Sequence, residues 1–192
     1  VKTVHCKKIK EIVVSGLSLA SAAFAVSPMD KMFAVRAAQG GIAEVKTSEL
    51  AIQKTHNKRV LAVAKRMVKE HTAANNELKT VAQDKRVALP TDTDAKQKAA
   101  YAKLRGLSGT AFDKAYMAGQ EKDHAATVKL FQKEIASGQD KDLSGFASKN
   151  LPTIEDHTQM IFQVGSDLGV HSTMMPKLKP ALMPSSMSGK NM

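Results

Sequence analysis

Between Val60 and Ala82 the apolar residues return every three or four positions, as Val60, Ala64, Met67, Ala74, Leu78 and Ala82, and His71 falls in the same series. Such steps place side chains on one face of an α-helix, so this stretch folds as a helix whose buried stripe contains an imidazole. The arrangement recurs twice: His124 lies between Tyr116 and Phe131, and His157 between Ile154 and Ile161, each within an apolar series of helical spacing. A chain built from stripes of this kind buries them by packing helix on helix.

Composition agrees with that reading. Hydrophobic residues make up 43% of the 192 positions, yet tryptophan is absent and aromatics reach only 4%, so Ala, Leu, Val and Met must fill the core. Alternating β-branched runs, the mark of strands, are few. The expectation is one all-α domain of the ferritin-like up-down four-helix bundle type, with short extra helices and a signal peptide in front.

The signal peptide is read at 1–25. Lys2, Lys7, Lys8 and Lys10 precede an apolar run at 12–24, and Ala23 and Ala25 offer the small residues that a signal peptidase reads. The run falls short of the roughly 20 residues that span a bilayer. Cleavage after Ala25 and export follow, with a periplasmic or outer-membrane-associated location. Cys6, the one cysteine, lies before the apolar run, so the exported part contains none and depends on packing rather than disulfides. The formal net charge is +11. Its lysines are interleaved with acids, and no aromatic platform accompanies them on which bases could stack, which argues against nucleic acid as a partner and leaves an anionic envelope surface.

Residues 26–30 read as a linker with Asp30 as helix cap, and residues 31–168 as the bundle. The first helix is expected over 31–55, with Glu44 on its buried face and the Gly40-Gly41 pair permitting close helix approach. A tight turn at 56–58 leads into a second helix over 59–87, whose outer face carries Lys65, Lys69, Glu70, Asn76 and Lys79. Pro90 and its Thr and Asp neighbours end it. A short helix over 95–104 and a glycine-containing break precede the third long helix, 110–137, with Phe112, Tyr116, His124, Val128, Phe131 and Ile135 on one side. A second short helix is expected over 141–148, and the last long one restarts at Pro152 and ends near Leu168. Residues 169–192, rich in Pro, Ser, Lys and Met, read as a disordered tail.

Two residues of an antiparallel pair stand at one height when they are equally far from the turn that joins their helices. Glu44 and His71 flank the turn at 56–58 in this way, His124 and His157 the turn at 138–140, and His71 and His124 the connection between their helices. Glu44, His71, His124 and His157 therefore share one layer, and Glu121, one turn before His124, joins the layer or orients its histidine. Three imidazoles and a carboxylate suit one transition-metal ion, zinc, iron, manganese or copper. The alternative is a network in which the histidines bond one another and their neighbours without metal. Asp113 and Tyr116 are assigned to capping and core packing. No catalytic motif is identified.

The order Gly41-Ile42-Ala43-Glu44-Val45, Met67-Val68-Lys69-Glu70-His71, Leu107-Ser108-Gly109-Thr110-Ala111-Phe112-Asp113-Lys114-Ala115-Tyr116, His124, then Leu151-Pro152 and His157 resembles the bacterial domain of unknown function family 4142, over about 29–168. The resemblance implies an exported ferritin-like bundle of a kind often described as an outer-membrane protein, and it implies no activity. The di-iron pattern of ferritins uses two Glu-x-x-His motifs. Here Glu121 and His124 fit it, whereas Val68 stands three residues before His71 and Ile154 three before His157. The expected function is that of an envelope protein binding metal through core His and Glu residues. The alternatives are a metal-free structural or stress-related interaction module and a metal-dependent redox enzyme.

Overall fold

The computed structural model describes residues 26–170; the expected signal peptide at 1–25 and residues 171–192 of the expected tail lie outside the described residues. Five helices form: α1 (Pro28–Lys54), α2 (Lys58–Asp84), α3 (Ala95–Arg105), α4 (Gly109–Ser137) and α5 (Lys141–Asp167).

Local chemistry sets their ends. Asn57 caps α2 by accepting from the N–H groups of Arg59 and Val60, and Asp140 caps α5 by accepting from those of Asp142 and Leu143. Asp94 and Gln97 form a reciprocal capping box at α3. Gly138 ends α4 where a Cβ would come within 2.6 Å of the Glu134 carbonyl oxygen. Ser27, not Asp30, caps α1: its Oγ accepts from the Asp30 N–H at 3.2 Å, and Pro28 takes the first helical position. Asp30 is one turn further in and buried, where it accepts from the backbone N–H groups of Gln139 and Asp140 at 3.0 and 3.2 Å. It caps the start of α5's hairpin rather than its own helix.

The expected short helix at 141–148 does not stand apart. It is the first half of α5, which continues through Pro152. Proline removes one backbone donor from a helix interior. Here Asn150 supplies a side-chain donor to the Phe146 carbonyl in the disturbed turn, at 3.0 Å. The stripe Leu143, Phe146, Ala147, Ile154, His157, Ile161 and Val164 is buried along the whole length, so packing outweighs the local break.

Helices α1 and α2 form one antiparallel hairpin and α4 and α5 another, with α1 beside α4 and α2 beside α5. Contacts fix the directions. Ser48 meets Tyr116 and Glu44 meets Gln120, so α1 and α4 are antiparallel; Glu70 meets His157 and Glu77 meets Lys149, so α2 and α5 are too. It follows that α2 and α4 run the same way, and that residues 85–108, with α3 among them, carry the chain back along the bundle. One long crossover of this type belongs to ferritin-like bundles.

Two apolar cores result. Phe33, Leu78, Phe131, Phe146 and their neighbours fill one end, with the Phe33 and Phe131 rings edge-to-face at 5.1 Å. Leu50, Val60, Met67, Phe112, Tyr116 and Ile161 fill the other. Each long helix places buried polar residues between the two: Glu44 and Ser48 on α1, His71 on α2, Gln120, Glu121 and His124 on α4, and His157 on α5. No helix among the described residues is long and apolar enough to cross a membrane.

Candidate metal centre

The polar layer begins with three imidazoles from α2, α4 and α5. His71 is 8% exposed, and His124 and His157 are 1% exposed. Their ring centroids stand 5.3 to 5.5 Å apart, and one nitrogen from each lies within 4.8 Å of the others. Tetrahedral zinc with imidazole nitrogens at about 2.0–2.1 Å needs nitrogens roughly 3.3 Å apart, so small ring movements would close the set around an ion.

The hydrogen bonds decide which nitrogens are free. His124 donates from Nδ1 to the Gln120 carbonyl at 3.0 Å, which leaves its Nε2 lone pair facing His71 Nε2 at 3.4 Å. His157 donates from Nε2 to Glu70 Oε2 at 2.6 Å. Its Nδ1 is buried with no hydrogen-bond partner. A carboxylate or carbonyl behind an imidazole is how metal-ligating histidines are usually oriented, because it fixes the tautomer and raises the basicity of the other nitrogen.

Electrostatics keep these rings neutral. Burial, reinforced by His157, lowers His71 to about 3. Burial also pulls His124 well below the ordinary histidine value, helped by the other two rings, and lowers His157 against the opposing pull of Glu70. Neutral imidazoles offer the lone pairs that a metal requires.

Glu44 is buried behind His124, with Oε1 3.7 Å from His124 Nδ1 and Oε2 accepting from Gln120 Nε2 at 2.6 Å. Burial, with a smaller contribution from the charge of Asp123, raises its carboxyl to about 8 against the Gln120 bond. Glu44 and Glu121 both lie outside the group of converging nitrogens, although both are buried. Glu44 and His71, expected in one layer, line one cavity, and the Glu44 carboxyl takes its hydrogen bond from Gln120.

Two residues of the layer escape the sequence pattern. Glu70, expected on the outer face of α2, turns toward α5: the Arg66 side chain holds it at 3.0 Å and His157 takes its other oxygen. Burial raises its pKa, but the bonds from His157 and Arg66 outweigh that and hold it below the usual value. The Arg66–Glu70 spacing of four residues was the available signal. Gln120 was marked only by its place one turn before His124. Away from the histidines, the Tyr116 hydroxyl meets Ser48 Oγ at 2.8 Å, as core packing requires, whereas buried Asp113 Oδ1 has no hydrogen-bond partner.

A helical bundle with one crossover, divided by a layer of buried histidines that could hold a metal ion, is the class of protein that these features define. The chain belongs to the family described as Domain of unknown function (DUF4142), which it matches over residues 16–164. That span takes in all three histidines and Glu44, Glu70 and Glu121. Among solved structures, the crystal structure of a DUF305 fragment from Deinococcus radiodurans is similar, with a TM-score of 0.66 at 9% identity over 74% of this chain and 98% of that one. The likeness shows a shared fold. No curated protein matches the chain.

Proposed function

We propose that this chain is an exported envelope protein that holds one transition-metal ion at the centre of its bundle, with His71, His124 and His157 as ligands. The observation that carries the reading is the convergence of three buried, neutral imidazoles, one nitrogen of each within 4.8 Å of the others, together with a His157 Nδ1 that is buried without a hydrogen-bond partner. A buried polar atom without a partner calls for an explanation, and a bound ion supplies one. An all-imidazole set suits zinc, copper, iron or manganese, and affinity at equal availability favours copper and zinc. Glu44 and Glu121 are not ligands in this reading: Glu44, raised to about 8, stays protonated with Oε1 3.7 Å from His124 Nδ1, and Glu121 is buried one turn before His124. Export is supported by the basic and apolar segment at 1–25. The part left after its removal loses Lys2, Lys7, Lys8, Lys10 and Glu11, a net +3 of the formal +11, and the +8 that it keeps supports attraction to an anionic envelope surface.

Elemental analysis of the full chain, produced in a periplasm and purified without chelators or an affinity tag, tests the reading. Near-stoichiometric metal in the parent and its loss in His71→Gln are the expected result. A metal-free parent that takes up no added zinc, copper, iron or manganese overturns it.

The second reading is a structural network without metal, favoured by the His71–His124 contact at 3.4 Å and the His157–Glu70 bond at 2.6 Å. Under it, histidine variants change melting temperature and nothing else.

A further inference from the structure

The three histidines supply three ligand atoms, and two neighbouring carboxyl groups are already engaged, Glu44 by Gln120 and Glu70 by His157 and Arg66. Among the described residues, no fourth ligand atom joins the three converging nitrogens. What adjoins them is a cavity of about 50 Å³ between the four long helices. It borders His71 and His157 and extends to Leu78, Phe131 and Phe146, which lie about two to three helical turns away along their own helices. A water needs roughly 10–15 Å³ of such space, so the cavity has room for a few waters or one molecule of two or three heavy atoms.

The two residues of the Gly40-Gly41 pair border this space differently. A Cβ at Gly41 would lie 1.9 Å from Asn75 Oδ1, so the absence of a side chain there lets Asn75 lie against α1. A Cβ at Gly40 would meet nothing within 4 Å. Gly40 thus borders empty space rather than a close helix, and it lines the cavity together with Arg36.

We infer that the metal centre is open, and that its remaining position binds a small anion of two or three heavy atoms admitted through the cavity beside Gly40. This rests on the metal reading above. Three neutral imidazoles leave a divalent ion with most of its charge, since Glu44 stays protonated and Glu70 is spent on Arg66 and His157, and in the low-dielectric interior an anion is drawn to the ion more strongly than in water. Arg36 at the rim adds attraction of the same sign. The far wall of Leu78, Phe131 and Phe146 is apolar, whereas Asn75, Asn150 and the carboxyl groups of Glu44 and Glu70 also border the cavity. A closed structural site takes four protein ligands, whereas three histidines with an open position are the arrangement used where a metal must bind something else.

The test uses the full chain loaded with cobalt(II), its content measured by elemental analysis, and titrated with sodium azide while the visible ligand-field bands are followed. Azide is expected to shift the bands saturably. Gly40→Leu fills the space and is expected to take the same cobalt while losing the azide response. Gly40→Ala, whose methyl group meets nothing, folds in any case and gives a smaller loss in the same direction. Bands that azide leaves unchanged in a cobalt-loaded parent overturn the open site while leaving the metal reading intact. An azide response equal in parent, Gly40→Ala and Gly40→Leu overturns the cavity as its route. Failure of the parent to bind cobalt or any other transition metal removes the metal reading, and this inference with it.

Discussion

The His157 imidazole on α5 donates from Nε2 to Glu70 of α2 at 2.6 Å, while Nδ1 of the same ring is buried without a hydrogen-bond partner. One nitrogen is thus spent on orientation so that the other is presented, and the Glu70 carboxylate is itself steadied by Arg66 at 3.0 Å. Glu70→Gln keeps the shape of the side chain and removes the charge that raises the basicity of the ring. Loss of such an outer partner typically weakens metal affinity by about 10–100-fold. A competition titration with a chromophoric zinc chelator should find a loss of that size with helical content unchanged. Equal zinc affinity in parent and variant would show that Glu70 does not orient a ligand.

Metal binding should also appear as stability. An ion that binds only the folded chain stabilises it by about 4 kcal/mol at a free concentration a thousand times the dissociation constant. Thermal unfolding of the parent with zinc, against chelator-treated protein, should show a higher melting temperature, and His71→Gln should melt at one temperature in both conditions. A purely structural histidine network predicts a lower melting temperature for His71→Gln and no zinc effect in either protein.

A separate acid pair governs the opposite end of the bundle. Glu134 is 1% exposed, and burial, with additional effects from Asp30 and Asp140, raises its pKa to about 7. Protonated, it donates to Asp30, which burial would raise but which the bonds from Ser27, Gln139, Glu134 and Asp140 hold below the usual carboxylate value. For Glu134 the folded value lies above the unfolded one near 4.5, so its contribution is fully present below that pH and is lost as pH rises through about 7. For Asp30 the sign is opposite, with stability present above pH 3.8 and lost as pH falls through its lowered folded value. Glu134→Gln cannot ionise. Urea denaturation of both proteins between pH 5 and 8 should show the parent losing on the order of 2 kcal/mol relative to the variant as pH rises. The histidines titrate alike in the two proteins and cancel from the difference, and parallel curves would show that Glu134 is not held in its protonated form.

How much of this was legible in the sequence depends on whether the determinant was local. His71, His124 and His157 sit on strongly periodic stripes, and helical periodicity alone assigns them to the interior. Their common height followed for the pairs His124 and His157, joined by a tight turn. For His71 and His124 the same arithmetic assumed a hairpin, whereas the chain crosses over along α3 and the two helices run parallel. Glu70 was hidden because its neighbour His71 marks the centre of the stripe, about 100° away around the helix, and only the position of α5 decides that this flank is covered. Register drift misled the reading of α4 similarly: Ile135, expected on the buried side, is 39% exposed, and Glu134 takes the buried position. Pro152 misled for the contrary reason, since a strong local signal for a helix start yielded to a buried stripe that runs straight through it.

That last conflict leaves a measurable trace. Pro152 lies on the exposed side of α5, in the interior of the helix, and deprives the Ser148 carbonyl of its usual backbone donor. The Asn150 side chain bonds the Phe146 carbonyl instead and so does not repair the missing bond. Proline in a helix interior is unfavourable by about 3 kcal/mol relative to alanine, although a helix already adapted to it recovers less than that on replacement. Pro152→Ala should therefore raise stability by about 1–2 kcal/mol in urea denaturation, with metal content unchanged because His157 is more than a turn away. If Pro152→Ala instead destabilises the chain, the backbone at Pro152 is what allows the two halves of α5 to reach both apolar cores. The same variant would then lose the His157–Glu70 geometry, visible as weakened zinc binding in the competition titration.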